Sequence, residues 1–215
     1  MLRRHSYFRS SAAYRVRIAL HLKNLPYTTI PVHLLPDAGE QHAATFTDLN
    51  PQQTVPVLDG PQGPLTQSLA ILEYLDEIAP APPLLPPQPA ARARVRALAL
   101  LIACDVHPLN NLRVLQFLRQ EAGLQQPQID LWVRHWIDAG LGAFERLLER
   151  SPPGGRFCHG DEPGLADCCL IPQIYNARRY QCSLDRYPHI MRITALCESL
   201  DAFQRASPAA QPDVP

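Results

Sequence analysis

Three short segments carry residue types that can hold an anion. The first is Arg9-Ser10-Ser11-Ala12, just ahead of an apolar helical stretch. A helix N-terminus presents unpaired N–H groups and a partial positive charge, and neighbouring serine hydroxyls add donors. Such a place can seat an anion, a thiolate included. The same serines also fit an ordinary N-cap. Gln67-Ser68 opens a second apolar helix and has the same two readings, a carboxylate site or a plain cap. Val55-Pro56 precedes a strand. A cis bond there would expose the backbone of Val55 to a ligand, whereas the low frequency of cis X-Pro bonds favours trans.

The elements that must position these residues follow from periodicity. His5-Ser6-Tyr7 reads as a short strand, and Tyr14 to Lys23 as a helix with Arg15 and Arg17 between its apolar positions. Tyr27 to Leu34 is β-branched and strand-like, and Ala38 to Leu49 is a polar helical stretch. Val55 to Leu58 and Pro64 to Gln67 are short strands, and Ser68 to Ile78 is a second apolar helix. The order βαβαββα predicts a small sheet with helices on both faces. Pro80 to Pro89 reads PAPPLLPPQP, a density no helix or central strand tolerates, and is expected to be a semi-rigid interdomain connection. Beyond it, Ala90 to Glu121, Ile129 to Arg150, Leu165 to Arg179 and Pro188 to Arg205 have helical periodicity, which predicts an all-α second half. The expected division is residues 1–82, a linker at 83–89, and a helical domain at 90–215. The Pro/Ala-rich tail from Ala206 onward is expected to be loosely ordered.

Composition removes several function classes. The formal net charge is zero, which argues against a nucleic-acid-binding role. Arginine is abundant and lysine nearly absent, a balance suited to planar, bidentate grip on carboxylates. No apolar stretch follows the basic start, and the apolar run Leu98 to Ala103 is too short to span a bilayer. A soluble, cytoplasmic protein without a membrane partner is expected. Cys104, Cys158, Cys168, Cys169, Cys182 and Cys197 form no C-x-x-C pair and no zinc spacing, so buried, inert thiols and no metal are expected.

Taken together, the segments resemble the zeta class of glutathione transferases. Ser6 to Leu20 reads SYFRSSAAYRVRIAL and is similar to the class motif S-S-C-x-x-R-V-R-I-A-L. The likeness continues through Leu49-Asn50-Pro51, Val55-Pro56, Gln67 to Ile71, Gly160-Asp161-Glu162, Ala166-Asp167, Asp201-Ala202-Phe203 and Gln211-Pro212-Asp213. It therefore covers essentially the whole chain. The resemblance implies a thioredoxin-like βαβαββα domain that binds glutathione. It also implies an all-α domain that completes the substrate site, and a homodimer. The implied activity is glutathione-dependent cis–trans isomerisation of a maleyl keto-dicarboxylate. Maleylacetoacetate to fumarylacetoacetate, in tyrosine and phenylalanine breakdown, comes first. Maleylpyruvate, in gentisate or salicylate degradation, is the alternative. Conjugation or dehalogenation of small α-halo acids and a non-catalytic glutathione-binding role are further alternatives.

Carried over by position, the resemblance gives Ser10 and Ser11 to the glutathione thiol, with Ser11 as leading donor. It gives the Val55 backbone to the cysteinyl part, and Gln67 and Ser68 to the γ-glutamyl carboxylate. Gln41 falls near the glycyl end, and His107 and Asn111 line the site. Arg9 and Arg179 are candidates for the substrate carboxylates. Arg113, six residues after His107 and expected on the same helix, is not general to the class. It would add grip on a short, doubly charged substrate. Ala12 stands where the motif has cysteine, so the reacting sulfur is that of glutathione. His107 stands where glutamine is common, and can titrate near neutral pH. Gly164 stands where a Ser/Thr cap is usual, a small loss for an N-cap.

Overall fold

The computed structural model describes residues 1–34, 39–150 and 155–214. These form two compact units: Met1–Leu84 with Glu198–Pro215, and Leu85–Cys197.

In the first unit, β1 (Leu2–Ser6), α1 (Ser11–Leu22), β2 (Tyr27–Pro31), α2 (Ala44–Leu49), β3 (Val57–Gly60), β4 (Gly63–Thr66) and α3 (Ser68–Ile78) follow in the expected order. The sheet order is β2-β1-β3-β4. β1 pairs parallel to β2, and the β1–β3 and β3–β4 pairs are antiparallel. The helical reading that begins at Ala38 starts outside the described residues. From Glu40 a 3₁₀ turn to His42 precedes α2. α1 is buried nearly all round: Val16, Ile18, Ala19 and Leu20 are inaccessible, and so is Arg17, with Arg15 close to it. A buried guanidinium must have its N–H groups satisfied, and those contacts matter below.

The exit of α3 is pinned from α1's end. The Lys23 ammonium donates to Asp76 at 2.5 Å, to the Ala79 carbonyl at 2.7 Å and to the Pro82 carbonyl at 2.6 Å. The proline-rich stretch thus leaves the first unit on fixed contacts, and the division between units falls inside it, after Leu84. The C-terminal segment differs from the expected arrangement. α9 (Asp201–Ala206) packs on α1, and residues 198–215 group with the first unit rather than with the helical domain. Nor is the tail loose. Gln211 is buried and donates to the carbonyls of Arg205 and Ser207 at 3.0 and 2.9 Å. Long-range polar contacts, which composition does not encode, also order it: Arg4 donates to Gln211 Oε1 at 3.4 Å and Phe8 N to Asp213 Oδ2 at 2.8 Å.

Among its described residues the second unit is helical: α4 (Pro89–Leu100), α5 (Leu112–Gln120), α6 (Gln126–Glu149), α7 (Leu165–Arg179) and α8 (Pro188–Glu198). The expected single helix from Ala90 to Glu121 is instead broken. α4 passes into a π-helical stretch, Leu101–Val106, then a 3₁₀ turn, His107–Asn110, before α5. Pro108 removes a donor at this place. Gly140 of α6 lets the π stretch come close, for a Cβ there would lie 2.1 Å from Val106 Cγ2. By length and composition alone, Pro89–Gln120 is apolar enough to cross a membrane, a longer candidate than the sequence run suggested. Here Val95, Leu98, Ala99, Ile102 and Val106 are buried, with α4 packed on α7. The long C-terminal helix expected from Pro188 to Arg205 is likewise two helices, α8 and α9.

The thiols are only partly as expected. Cys158, Cys168, Cys169 and Cys197 are buried, but Cys104 is exposed and Cys182 half-buried. Burial and the nearby Asp167 push the Cys158 thiol well above its usual range. Asp167 itself starts α7. Its carboxylate accepts from Cys158 N at 3.0 Å and from Gly164 N at 2.9 Å. These two bonds satisfy the Gly164 and Cys158 N–H groups ahead of the helix. Burial pushes the Asp167 carboxyl up, against the pull of those N–H groups. Asp167→Ala strands both buried donors and is expected to destabilise the protein by about 3 kcal/mol in urea unfolding.

Candidate active site

The turn between β1 and α1 carries the first group of residues. Ser10 is the N-cap of α1, its Oγ accepting from Ala13 N at 3.2 Å. The cap reading is therefore correct for Ser10, yet it uses only a lone pair. The hydroxyl proton is left to donate outward. Ser11 is the first helical residue, 8% exposed, and its hydroxyl makes no hydrogen bond with the described residues. Two hydroxyls thus stand at the positive end of α1's dipole. Arg9 lies alongside, its guanidinium 5.4 Å from the Phe8 ring centre and 5.7 Å from that of Tyr7. It has no carboxylate partner among the described residues.

The start of α3 is tied to this helix. Arg15, one turn beyond Ser11, donates to Ser68 Oγ at 3.1 Å. Gln67 is the N-cap residue, at φ 67° and ψ 111°, and its side chain donates to Gln52 Oε1 at 2.8 Å. A left-handed φ in a non-glycine residue is a strained state that folds keep mainly at functional sites. It leaves the first N–H groups of α3 uncovered by a side-chain cap.

Val55 is buried and precedes a cis Pro56, the isomer the base rate disfavoured. β3 begins only at Val57, and neither the N–H nor the C=O of Val55 bonds to the described backbone. A peptide can therefore pair with it. Gln41 is buried too, and its Oε1 has no hydrogen-bond partner among the described residues. An orphaned buried acceptor costs about 1–3 kcal/mol until a donor meets it. A thiol-containing tripeptide with terminal carboxylates meets all of these needs.

The second unit holds the other candidates. His107 lies in the 3₁₀ turn. Asn111 caps α5, its Oδ1 accepting from Arg113 N at 3.3 Å. Arg113 is therefore not on one helix with His107, because the turn and a cap intervene. Its guanidinium is exposed and joins no other group among the described residues. Arg179 ends α7. Its guanidinium lies 3.5 Å from Asn176 Oδ1 and 5.7 Å from the Tyr180 ring centre, again with no carboxylate. Asn176 in turn donates to Asn110 Oδ1 at 3.1 Å. Arg179 and the His107–Asn111 turn are thus linked through two buried asparagines, while Arg113 stays outside that chain of contacts.

Arg15, Asn110 and Asn176 escaped sequence reasoning. Arg15 reads in one dimension as a charge between apolar positions, and its bond to Ser68 places it. The asparagines gave no signal, because only the meeting of α7 with a turn far away in sequence makes them a pair.

Comparison with known proteins supplies context for this geometry. Residues 9–78 match the family model "Glutathione S-transferase, N-terminal domain" and residues 126–196 match "Glutathione S-transferase, C-terminal domain". A probable maleylacetoacetate isomerase of Vibrio cholerae is 49% identical, over 97% of this chain and 96% of its own. A solved structure described as holo maleyl pyruvate isomerase, a bacterial zeta-class glutathione S-transferase, has a TM-score of 0.96 and 47% identity over 99% of this chain and 100% of its own. Maleylacetoacetate isomerase of Methylobacterium extorquens AM1, solved with bound malonate and glutathione, has a TM-score of 0.94 and 43% identity over 99% of each chain.

Proposed function

Because this chain belongs to the glutathione S-transferase family, in its zeta class, we propose that it is a glutathione-dependent cis–trans isomerase acting on maleylacetoacetate. The observation that carries this reading is the start of α1, where two serine hydroxyls meet a helix N-terminus with no thiol of the chain's own. When bound, glutathione supplies a thiolate that adds reversibly to a conjugated cis double bond and leaves after rotation, so it is not consumed.

The chain's residues make that chemistry available at neutral pH. A free thiol with a pKa of about 8.5 is mostly protonated. Ser10 and Ser11 donate to the sulfur, and the α1 N-terminus favours its negative charge. Val55, Gln67, Ser68 and Gln41 orient the rest of the tripeptide. The substrate is a dicarboxylate, so its ends need cations while its middle turns. Arg9 and Arg179 are the cations that the zeta-class resemblance assigns to those ends, and neither is committed to a carboxylate of the protein among the described residues.

Arg113 favours a second reading. Its exposed, uncommitted guanidinium would suit the shorter maleylpyruvate. We take the protein to be a cytoplasmic homodimer, and a monomer mass in sedimentation overturns the second half of that statement. Turnover of both maleyl substrates, followed as loss of ultraviolet absorbance with and without glutathione, tests the function. The expected result is turnover that requires glutathione, faster with maleylacetoacetate. Faster turnover of maleylpyruvate installs the second reading, and no turnover of either overturns both.

A further inference from the structure

The Tyr7–Ser10 turn that presents Arg9 and the two serines is held from outside its own sequence. Within the turn, Ser10 N donates to the Tyr7 carbonyl at 3.0 Å. The Tyr7 and Phe8 carbonyls and the Phe8 N–H are further held by Arg17 and the C-terminal segment. Arg17, fully buried, donates to the Phe8 carbonyl at 2.9 Å and the Tyr7 carbonyl at 3.4 Å. Its Nε donates to the Ala206 carbonyl at 2.6 Å. On the other side of the same peptide, Phe8 N donates to Asp213 Oδ2 at 2.8 Å. The Phe8 residue is thus gripped at both its carbonyl and its N–H, one residue before Arg9 and two before Ser10.

We propose that Asp213 and Arg17 are positioning residues for the thiol-activating turn, and that the C-terminal segment reaches back to set where Arg9, Ser10 and Ser11 point. This rests on the function proposed above. The two side chains also answer each other electrically. Burial and the neighbouring Arg4 lower the Arg17 guanidinium to about 9, while Asp213, Tyr14 and Tyr27 act in the opposite sense. Asp213 therefore does two things. It accepts the Phe8 N–H, and it is the carboxylate whose charge opposes that of two buried arginines, Arg4 and Arg17. Asp213 is only half-buried, so replacing it opens no core cavity.

Two variants separate these duties. Asp213→Ala removes the acceptor and the charge, whereas Asp213→Asn keeps an acceptor for Phe8 N–H. In the protein without glutathione, Asp213→Ala is expected to speed hydrogen exchange of the Phe8 amide about tenfold, with Asp213→Asn close to wild type. With glutathione bound, ultraviolet titration of the thiolate is expected to give a higher thiol pKa in Asp213→Ala, largely restored in Asp213→Asn. Turnover should fall about tenfold, mostly in kcat, with the KM for glutathione little changed. The proposal is overturned if Asp213→Ala leaves Phe8 exchange and the thiol pKa at wild-type values, and equally if it lowers the melting temperature without moving either. Failure of the functional reading looks different. The wild type would then show no thiolate with glutathione, while the exchange result on the unloaded protein would still stand.

Discussion

Replacing Ser10 and Ser11 together with alanine is expected to lower turnover about a thousandfold. The estimate follows from what a single preorganised donor to a charged centre contributes, about a hundredfold or more, with a second donor beside it. The double variant leaves α1 and its backbone N–H groups in place, so some activity survives. The single variants divide the effect and test the roles separately. The Ser11 hydroxyl makes no hydrogen bond with the described residues, so Ser11→Ala should raise the pKa of bound glutathione with little change in stability. Ser10 also caps α1 through Ala13 N, so Ser10→Ala should raise that pKa and cost about 1 kcal/mol of stability as well. Ultraviolet titration of the bound thiol and urea unfolding read the two quantities independently. Wild-type turnover in the double variant would remove the serines from the mechanism.

Arg179→Ala is expected to cut turnover about a hundredfold while leaving glutathione affinity nearly unchanged. The argument is one of charge and place. A dicarboxylate held at only one end has no fixed axis about which its middle can turn. Arg179 carries a planar, charged fork, and among the described residues its side chain has one hydrogen bond, a long one to Asn176. Removing it forfeits an interaction worth roughly 3 kcal/mol to the reacting substrate. Arg179→Lys keeps the charge without the fork and should recover only part of the rate. Steady-state kinetics with glutathione and the maleyl substrate varied in turn checks the split, and an unchanged rate in Arg179→Ala would sink the assignment.

How far the sequence carries these statements differs from residue to residue. α3 and α7 occupy the spans their apolar periods predicted, because packing on one face and punctuation at both ends agree there. The helix after the proline-rich stretch reads as continuous because its apolar pattern runs on past His107. The backbone nevertheless changes hand-hold three times there, through a π stretch, a 3₁₀ turn and a fresh cap at Asn111. Arg15 and Arg17 look like surface charges in a one-dimensional pattern. Their burial is set by Ser68 and by the carbonyls of Tyr7, Phe8 and Ala206. The order of the tail is illegible for the same reason. Proline and alanine have no period, and what fixes Gln211 and Asp213 lies near the other end of the chain. The serines, Val55 and the Gln67-Ser68 pair enter the proposed site through a whole-chain resemblance, whereas the cis isomer at Pro56 is not legible in the sequence.

The first unit has a history as well as a shape. It is assembled from residues 1–84 and 198–215, so on the ribosome its sheet and its first helices emerge long before the segment that completes them. The intervening helical unit must be translated before α9 can reach α1. Until then Arg17 lacks the Ala206 carbonyl and Phe8 lacks Asp213. A nascent or prematurely terminated chain can therefore own every serine and arginine of the proposed site and still present them on a half-held turn. Competence of the N-terminal half is conferred by residues 198–215, made only after the helical unit.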